Sequence, residues 1–80
     1  MNKEFMEQQK TLVSQRLEAL GDADAQKKRE LTVVSEYISS LLHPENYSDA
    51  DKEDIRKLAL ELGYEENTDF AAWEKQNKKL

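Results

Sequence analysis

The chain has 80 residues, no cysteine and a net charge of −5 at pH 7, from 17 acidic and 12 basic residues. This length provides one small core, and the lack of cysteine excludes disulfides, a thiolate nucleophile and a Cys-based zinc site. The acidic balance disfavours phosphate-binding functions, because phosphate repels a negative protein whose basic residues do not cluster. We therefore expect one domain, residues 1–80, held together by helix packing or self-association.

The composition favours helix, since it is rich in Leu, Glu, Lys and Ala and contains only two glycines and one proline. No segment is a candidate strand. Near the N-terminus, apolar residues recur at helical spacing: Phe5, Met6, Leu12, Val13, Leu17 and Leu20. This stripe predicts a first helix over about residues 2–20, ended by Gly21.

A second helix is predicted to begin near Asp22 or Asp24, because a carboxylate accepts hydrogen bonds from the free amides of a helix start. Its apolar seam has three-four spacing: Leu31, Val34, Ile38 and Leu41. The helix should run to about Leu42, because Pro44 lacks an amide hydrogen and constrains the residue before it. The short connection predicts that helices one and two form an antiparallel hairpin.

A third helix is predicted over Asp49–Leu62. Ser48 is a favourable N-cap, and carboxylates in the first turn complement the positive end of the helix dipole. Gly63 should end the helix, and its inward face should be Ile55, Leu58, Ala59 and Leu62.

A fourth helix is predicted to begin at Asn67 or Thr68 and to bury Phe70 and Trp73 before the Lys-rich end frays. The expected fold is all-α: an antiparallel helical hairpin, then two shorter helices that meet at a helix-turn-helix-like corner. We expect this core: Val13, Leu17, Leu20, Leu31, Val34, Ile38, Leu41, Ile55, Leu58, Leu62, Phe70 and Trp73.

The corner is predicted from the stretch that begins at Ile55. A helix-turn-helix needs a small residue at its fifth position and Gly at its ninth, and Ala59 and Gly63 occupy these places. Residues 58–70, LALELGYEENTDF, resemble the first helix-turn-helix of AraC-type regulators, which have a similar Ala-Leu-Glu-Leu-Gly-Tyr run and a Phe at the start of the recognition helix. The resemblance implies a nucleic-acid-binding transcriptional regulator.

The sequence departs from that family where a recognition helix would contact DNA. Base-reading positions favour Arg, Lys, Asn, Gln or Ser, whereas this turn reads Glu65, Glu66, Asn67, Thr68 and Asp69 and so contains three carboxylates. These carboxylates would face phosphate. Nucleic-acid binding is therefore kept as the alternative function, and nucleic acid is not the expected partner.

The acidic segment, residues 43–69, holds nine acidic and three basic residues, a net charge of −6. One interpretation is a solvated face that keeps the protein soluble. The other is a surface that docks a basic protein partner, with aromatic residues as anchors. The second predicts a non-catalytic protein-binding module, a small regulator or inhibitor, with these binding residues: Tyr47, Asp49, Asp51, Tyr64, Glu65, Glu66 and Asp69.

Neither catalysis nor metal binding is expected. His43 is the only histidine, and it has no partner at the spacing of a catalytic triad. Asp49-x-Asp51-x-Glu53 begins like a calcium loop, but Asp54 stands where that loop needs Gly and Leu60 where it needs Glu. We predict no enzymatic activity, no cofactor and no bound metal.

The first residues carry acidic groups where a signal peptide has a basic stretch, and no apolar run approaches a membrane span. We therefore expect a cytoplasmic protein without membrane association. Helix one carries a wide apolar stripe, so the sequence permits a homodimer through the hairpin as well as a monomer in which helices three and four cover this stripe.

Overall fold

The computed structural model describes residues 2–77, with side chains through Gln76. The regular structure of these residues is entirely helical, which confirms the predicted all-α class. The elements are helices α1 (Lys3–Leu20), α2 (Ala25–Leu42), α3 (Asp49–Glu61) and α4 (Phe70–Asn77), with a short 3-10 turn at Pro44–Asn46. The Lys-rich end, residues 78–80, lies outside the described residues.

Side-chain oxygens cap the starts of the first three helices. Asn2 accepts from the amide of Phe5 at 3.0 Å, and Asp24 accepts from the amide of Lys27 at 3.1 Å. Asp24, not Asp22, is therefore the N-cap of α2, since Asp22 instead pairs with Lys28 of that helix. Ser48 Oγ caps α3 as predicted. Each cap satisfies an amide that the helix leaves unpaired.

Helices α1 and α2 pack extensively and form the predicted hairpin, while α3 packs on α2 and α4 on α1. The buried hydrophobic residues come from all four helices and the segment that joins the last two: Met6, Val13, Leu31, Val34, Tyr37, Ile38, Ile55, Ala59, Tyr64, Phe70 and Trp73. Four other predicted core residues are partly buried against this cluster: Leu17, Leu20, Leu41 and Leu62.

One predicted core residue, Leu58, is on the surface, with 48% of its area exposed. The buried seam of α3 is narrow and contains Ile55 and Ala59. Ile55, Ala59 and Leu62 follow one another at spacings of four and three residues and form one line along the helix. Leu58 lies beside this line, so the buried seam does not cover it. The prediction that Leu58 is a core residue is therefore wrong, because the buried side of α3 is narrower than the apolar spacing of its sequence indicates.

Helix α3 ends in a Schellman motif. The amide of Tyr64 donates to the carbonyl of Ala59 and the amide of Gly63 to that of Leu60, both at 2.9 Å. Gly63 has φ +77°, in the left-handed region that favours glycine. The sequence thus predicted the end of α3 to within one residue, because the requirement for glycine is local.

The predicted start of α4 is wrong: the helix begins at Phe70, later than Asn67 or Thr68. Thr68 is used in a turn instead, since its hydroxyl oxygen accepts from the amide of Glu65 at 3.0 Å and its own amide donates to the Glu65 carbonyl at 3.1 Å. Asp69 accepts from the amide of Ala72 at 3.1 Å. Asp69 therefore caps α4, and residues 62–69 form a connector that is longer than a helix-turn-helix turn.

Three contacts hold α4 on the rest of the fold. Its first amide, on Phe70, donates to Gln9 Oε1 at 2.8 Å, and Gln9 is only 4% exposed. The indole of Trp73 donates to the carbonyl of Leu62 at 2.7 Å. Near its C-terminal end, Glu74 pairs with Arg16 at 2.6 Å. Because α4 lies on α1 in this way, it covers part of the wide apolar stripe of α1.

Replacing Gly63 with alanine should lower the free energy of unfolding by about 1–2 kcal/mol, because a Cβ is strained at positive φ. A Cβ would meet its nearest neighbour, Trp73 Nε1, at an ordinary 3.9 Å, so the strain lies in the backbone. Urea denaturation measures the change. Gly63→Asn is the control and should cost less, since asparagine tolerates this conformation. Equal stability of Gly63→Ala and the wild type would contradict the Schellman geometry.

Candidate functional site

The first group of predicted binding residues lies at the N-terminal end of α3. Asp49 and Asp51 are both exposed, and the side chain of Asp49 is fully accessible to solvent. Asp49 is 3.3 Å from Lys52 Nζ, one turn along the helix. Both carboxylates favour the helix start electrostatically, since they stand next to the positive end of the dipole.

Tyr47 lies immediately before this group. The 3-10 turn at Pro44–Asn46 places it, and its amide donates to the Pro44 carbonyl at 3.2 Å. The ring is partly buried against the core and partly exposed. Tyr47 can therefore offer an aromatic surface next to the carboxylates of the α3 N-terminus.

The second predicted group lies in the connector, where Glu65 and Asp69 are exposed and Glu66 is half-buried. Burial raises the pKa of the Tyr37 hydroxyl, the negative charges of Glu66 and Glu65 also raise it, and the positive charge of Arg56 lowers it. The connector contacts α2 directly, because the ring of Tyr64 packs edge-to-face on the ring of Tyr37, a residue of α2. The second group therefore borders α2 as well as the ends of α3 and α4.

Tyr64, the seventh predicted residue, is not on the surface. It is fully buried, and its ring makes edge-to-face contacts with Tyr37 at 6.2 Å and Trp73 at 5.6 Å between centroids. Its hydroxyl donates to the carbonyl of Thr68 at 3.2 Å, and burial raises its pKa far above the usual value. Tyr64 is therefore a core residue and has no exposed surface to anchor a partner.

The structure does not bring the two acidic groups together. The first group lies in the first turn of α3 and the second beyond its C-terminal end, and this helix of 13 residues spans about 20 Å. The predicted site is therefore two acidic groups at opposite ends of one helix rather than one patch.

A row of exposed side chains on α3, of which only Asp51 belongs to the predicted site, connects these groups. Asp51, Asp54, Leu58 and Glu61 are all exposed and follow one another at spacings of three or four residues, so they share one side of the helix. We call these four residues the α3 face. The same spacing of three or four residues is present in the sequence, but there it led to the prediction that Leu58 is a core residue.

Two of the three basic residues of α3 are already engaged within the helix, and the third, Lys57, is exposed. Lys52 pairs with Asp49, and Arg56 Nη2 lies 2.6 Å from Glu53 Oε1. The hydrogen bond from Arg56, more than its charge, lowers the pKa of Glu53. Neither cation is paired with a member of the α3 face, so the negative charge of that face is not compensated by these ion pairs.

The described residues 2–77 contain one histidine, His43, and many carboxylates. No group of three or more His, Asp or Glu side chains in this range could hold a metal ion. His43 is exposed, and its Nδ1 lies 3.7 Å from Glu45 Oε2 on an open surface. Within the same range, no helix has the length and apolar character needed to cross a membrane.

The comparisons with protein-family models, with curated proteins and with solved structures gave no match to this chain. The resemblance of residues 58–70 to the AraC-type motif is thus not accompanied by a match to a family model.

Proposed function

We propose that this protein is a non-catalytic protein-binding module that docks a basic partner through the exposed carboxylates of its acidic segment. The observation that carries the proposal is the exposure of acidic groups at both ends of α3, in a segment of net charge −6 whose Lys52 and Arg56 are engaged locally. A cytoplasmic location and action as a small regulator or inhibitor belong to the same proposal.

Charge and apolar contact have different roles in such docking. Exposed carboxylates steer a basic partner and set its orientation, while most of the binding energy comes from a few apolar or aromatic anchors. Tyr47 provides a partly exposed ring beside the first acidic group, and Leu58 provides an exposed aliphatic side chain between the two groups. The proposed surface therefore combines both kinds of contact along α3.

The alternative function is nucleic-acid binding through a helix-turn-helix. The tight turn at Gly63 favours it, but the first turn of α4 exposes Ala71 and Ala72, which cannot hydrogen-bond to bases through their side chains, after the carboxylate of Asp69. A titration of random duplex DNA at low salt separates the two functions. Salt-dependent binding at micromolar concentrations would support the alternative, whereas the docking proposal predicts none.

Charge reversal in the connector tests the proposal directly. The double variant Glu65→Lys/Glu66→Lys should lose the partner that the wild-type chain captures from a lysate, because the steering charge is inverted. Capture is measured by affinity pull-down and mass spectrometry. Asp69 is left unchanged because it caps α4. Unaltered capture would contradict the assignment of these two residues to the binding surface.

The matched control is Glu7→Lys/Glu18→Lys on α1. Both positions are exposed, and the double change alters the net charge by the same amount as the connector variant. The control should retain capture if the site is local. Equal loss in both variants would show that overall charge, not the acidic segment, determines binding. Circular dichroism should show the same helicity for all three proteins.

A further inference from the structure

We infer that this chain self-associates, with the α3 face of one copy docking into a groove on the outer side of α2 of a second copy. This inference does not depend on the proposed function, because it involves only the protein itself. It rests on two surfaces of the same chain that are complementary in charge and in apolar character.

The first surface is an open groove of about 440 Å³ beside the start of α2. Six residues line it: Asp22, Ala25, Lys28, Arg29, Thr32 and Val33. Most of the surface that they present to the groove belongs to apolar atoms. The Thr32 hydroxyl already donates to the Lys28 carbonyl at 2.7 Å, so it requires no other partner. The aliphatic stems of Lys28 and Arg29 can line such a groove while their charged ends remain in water.

Two cations border this groove. Arg29 is exposed and makes no ion pair with any other residue of 2–77. Lys28 lies 2.6 Å from Asp22, whose side chain is 91% exposed. An exposed pair of this kind contributes little to stability and can be exchanged for another carboxylate. The groove thus presents positive charge next to apolar surface.

The second surface is the α3 face, with Leu58 between Asp54 and Glu61. Neither carboxylate has an ion-pair partner among the described residues, and Leu58 is 48% exposed. Asp54 and Glu61 are seven residues apart, as are Ala25 and Thr32. Each span covers about 10 Å of helix, so the groove is long enough to receive the part of α3 around Leu58. Leu58 would enter the apolar groove while a flanking carboxylate meets the adjacent cations Lys28 and Arg29.

A second copy is the occupant that this complementarity identifies, because each copy carries both surfaces. The contact joins two different surfaces, so it is heterologous and can continue from copy to copy unless the geometry closes. A contact of one groove and one leucine is small, and the association should be weak and dependent on concentration. Since charges border it, the association should also weaken as salt screens them.

Sedimentation velocity of the purified chain tests the inference. The average mass should rise above the 9.3 kDa of a monomer as protein concentration increases. This rise should be larger at about 0.01 M than at about 1 M salt, where screening lengths are about 30 and 3 Å. Leu58→Asp should stay monomeric. The control Leu60→Asp changes a leucine 41% exposed on another side of α3 and should associate as the wild type does.

A mixing experiment distinguishes this contact from any other. Leu58→Asp keeps an intact groove, and Arg29→Glu keeps an intact α3 face, so each variant alone should remain monomeric. Their mixture should form a one-to-one dimer that does not grow further. A wild type that remains monomeric at all concentrations and low salt would overturn the inference, as would a mixture of the two variants that remains monomeric.

Discussion

Replacing Tyr64 with alanine is expected to lower the free energy of unfolding by about 3–5 kcal/mol, the range for truncation of a buried aromatic residue. Tyr64 is fully buried between the rings of Tyr37 and Trp73 and hydrogen-bonded to the Thr68 carbonyl. A domain of this size has a total stability of roughly 4–12 kcal/mol. The variant should therefore be strongly destabilised, as measured by urea denaturation followed by circular dichroism.

Two controls separate the parts of this effect. Tyr64→Phe keeps the ring and removes only the hydroxyl, so it should cost about 0.5–1.5 kcal/mol. Tyr47→Ala removes a tyrosine that is partly exposed and should cost less than Tyr64→Ala. If Tyr64→Ala were no more destabilising than Tyr47→Ala, Tyr64 would not be the core residue described above.

Replacing Gln9 with leucine is expected to lower the free energy of unfolding by about 1–3 kcal/mol, because a buried amide loses its acceptor. That amide belongs to Phe70, the first residue of α4, and its bond to Gln9 Oε1 is 2.8 Å long. Helix α4 has only eight residues, too few to be stable without docking. The fluorescence of Trp73, which is 5% exposed, should therefore shift to the red as α4 loosens.

The control for this prediction is the neighbouring residue. Gln8 is exposed on the same helix, so Gln8→Leu makes the same chemical change without removing a buried acceptor. It should change the stability by no more than about 0.5 kcal/mol. Equal effects at both positions, or an unchanged Trp73 spectrum in Gln9→Leu, would contradict the role of Gln9 in holding α4.

The fold follows closely from local patterns in the sequence. Apolar spacing predicted the first two helices, and their short connection predicted the hairpin. Ser48, Gly63 and Pro44 predicted three boundaries, because caps and breakers act over a few residues. The start of α4 could not be predicted in this way. Thr68 and Asp69 are both good caps, and the choice between them depends on a turn to Glu65 and on the contact with α1.

Gln9 shows a second limit of sequence patterns. Its polar side chain gives no sign that it is buried, since its partner is 61 residues away along the chain. Only the packing of α4 on α1 brings the two together. Leu58 shows the reverse case, because it has the spacing of a core residue and yet lies on the surface.

The candidate site was predicted in part. Exposure of the carboxylates Asp49, Asp51, Glu65 and Asp69 follows from the cost of burying charge. The position of Tyr64 does not follow from sequence, because tyrosine is common both in cores and at interfaces. The separation of the two acidic groups by α3 is a property of the fold, and it gives the proposed surface the length of a whole helix.

The proposal that the acidic segment docks a basic protein is tested most directly by calorimetric titration of the captured partner into three proteins. These are the wild type, Glu65→Lys/Glu66→Lys and the control Glu7→Lys/Glu18→Lys. We expect the affinity to fall at least about tenfold, or about 1.4 kcal/mol, for the connector variant alone. Wild-type binding should also weaken with salt. Equal affinities for all three proteins would contradict the proposal.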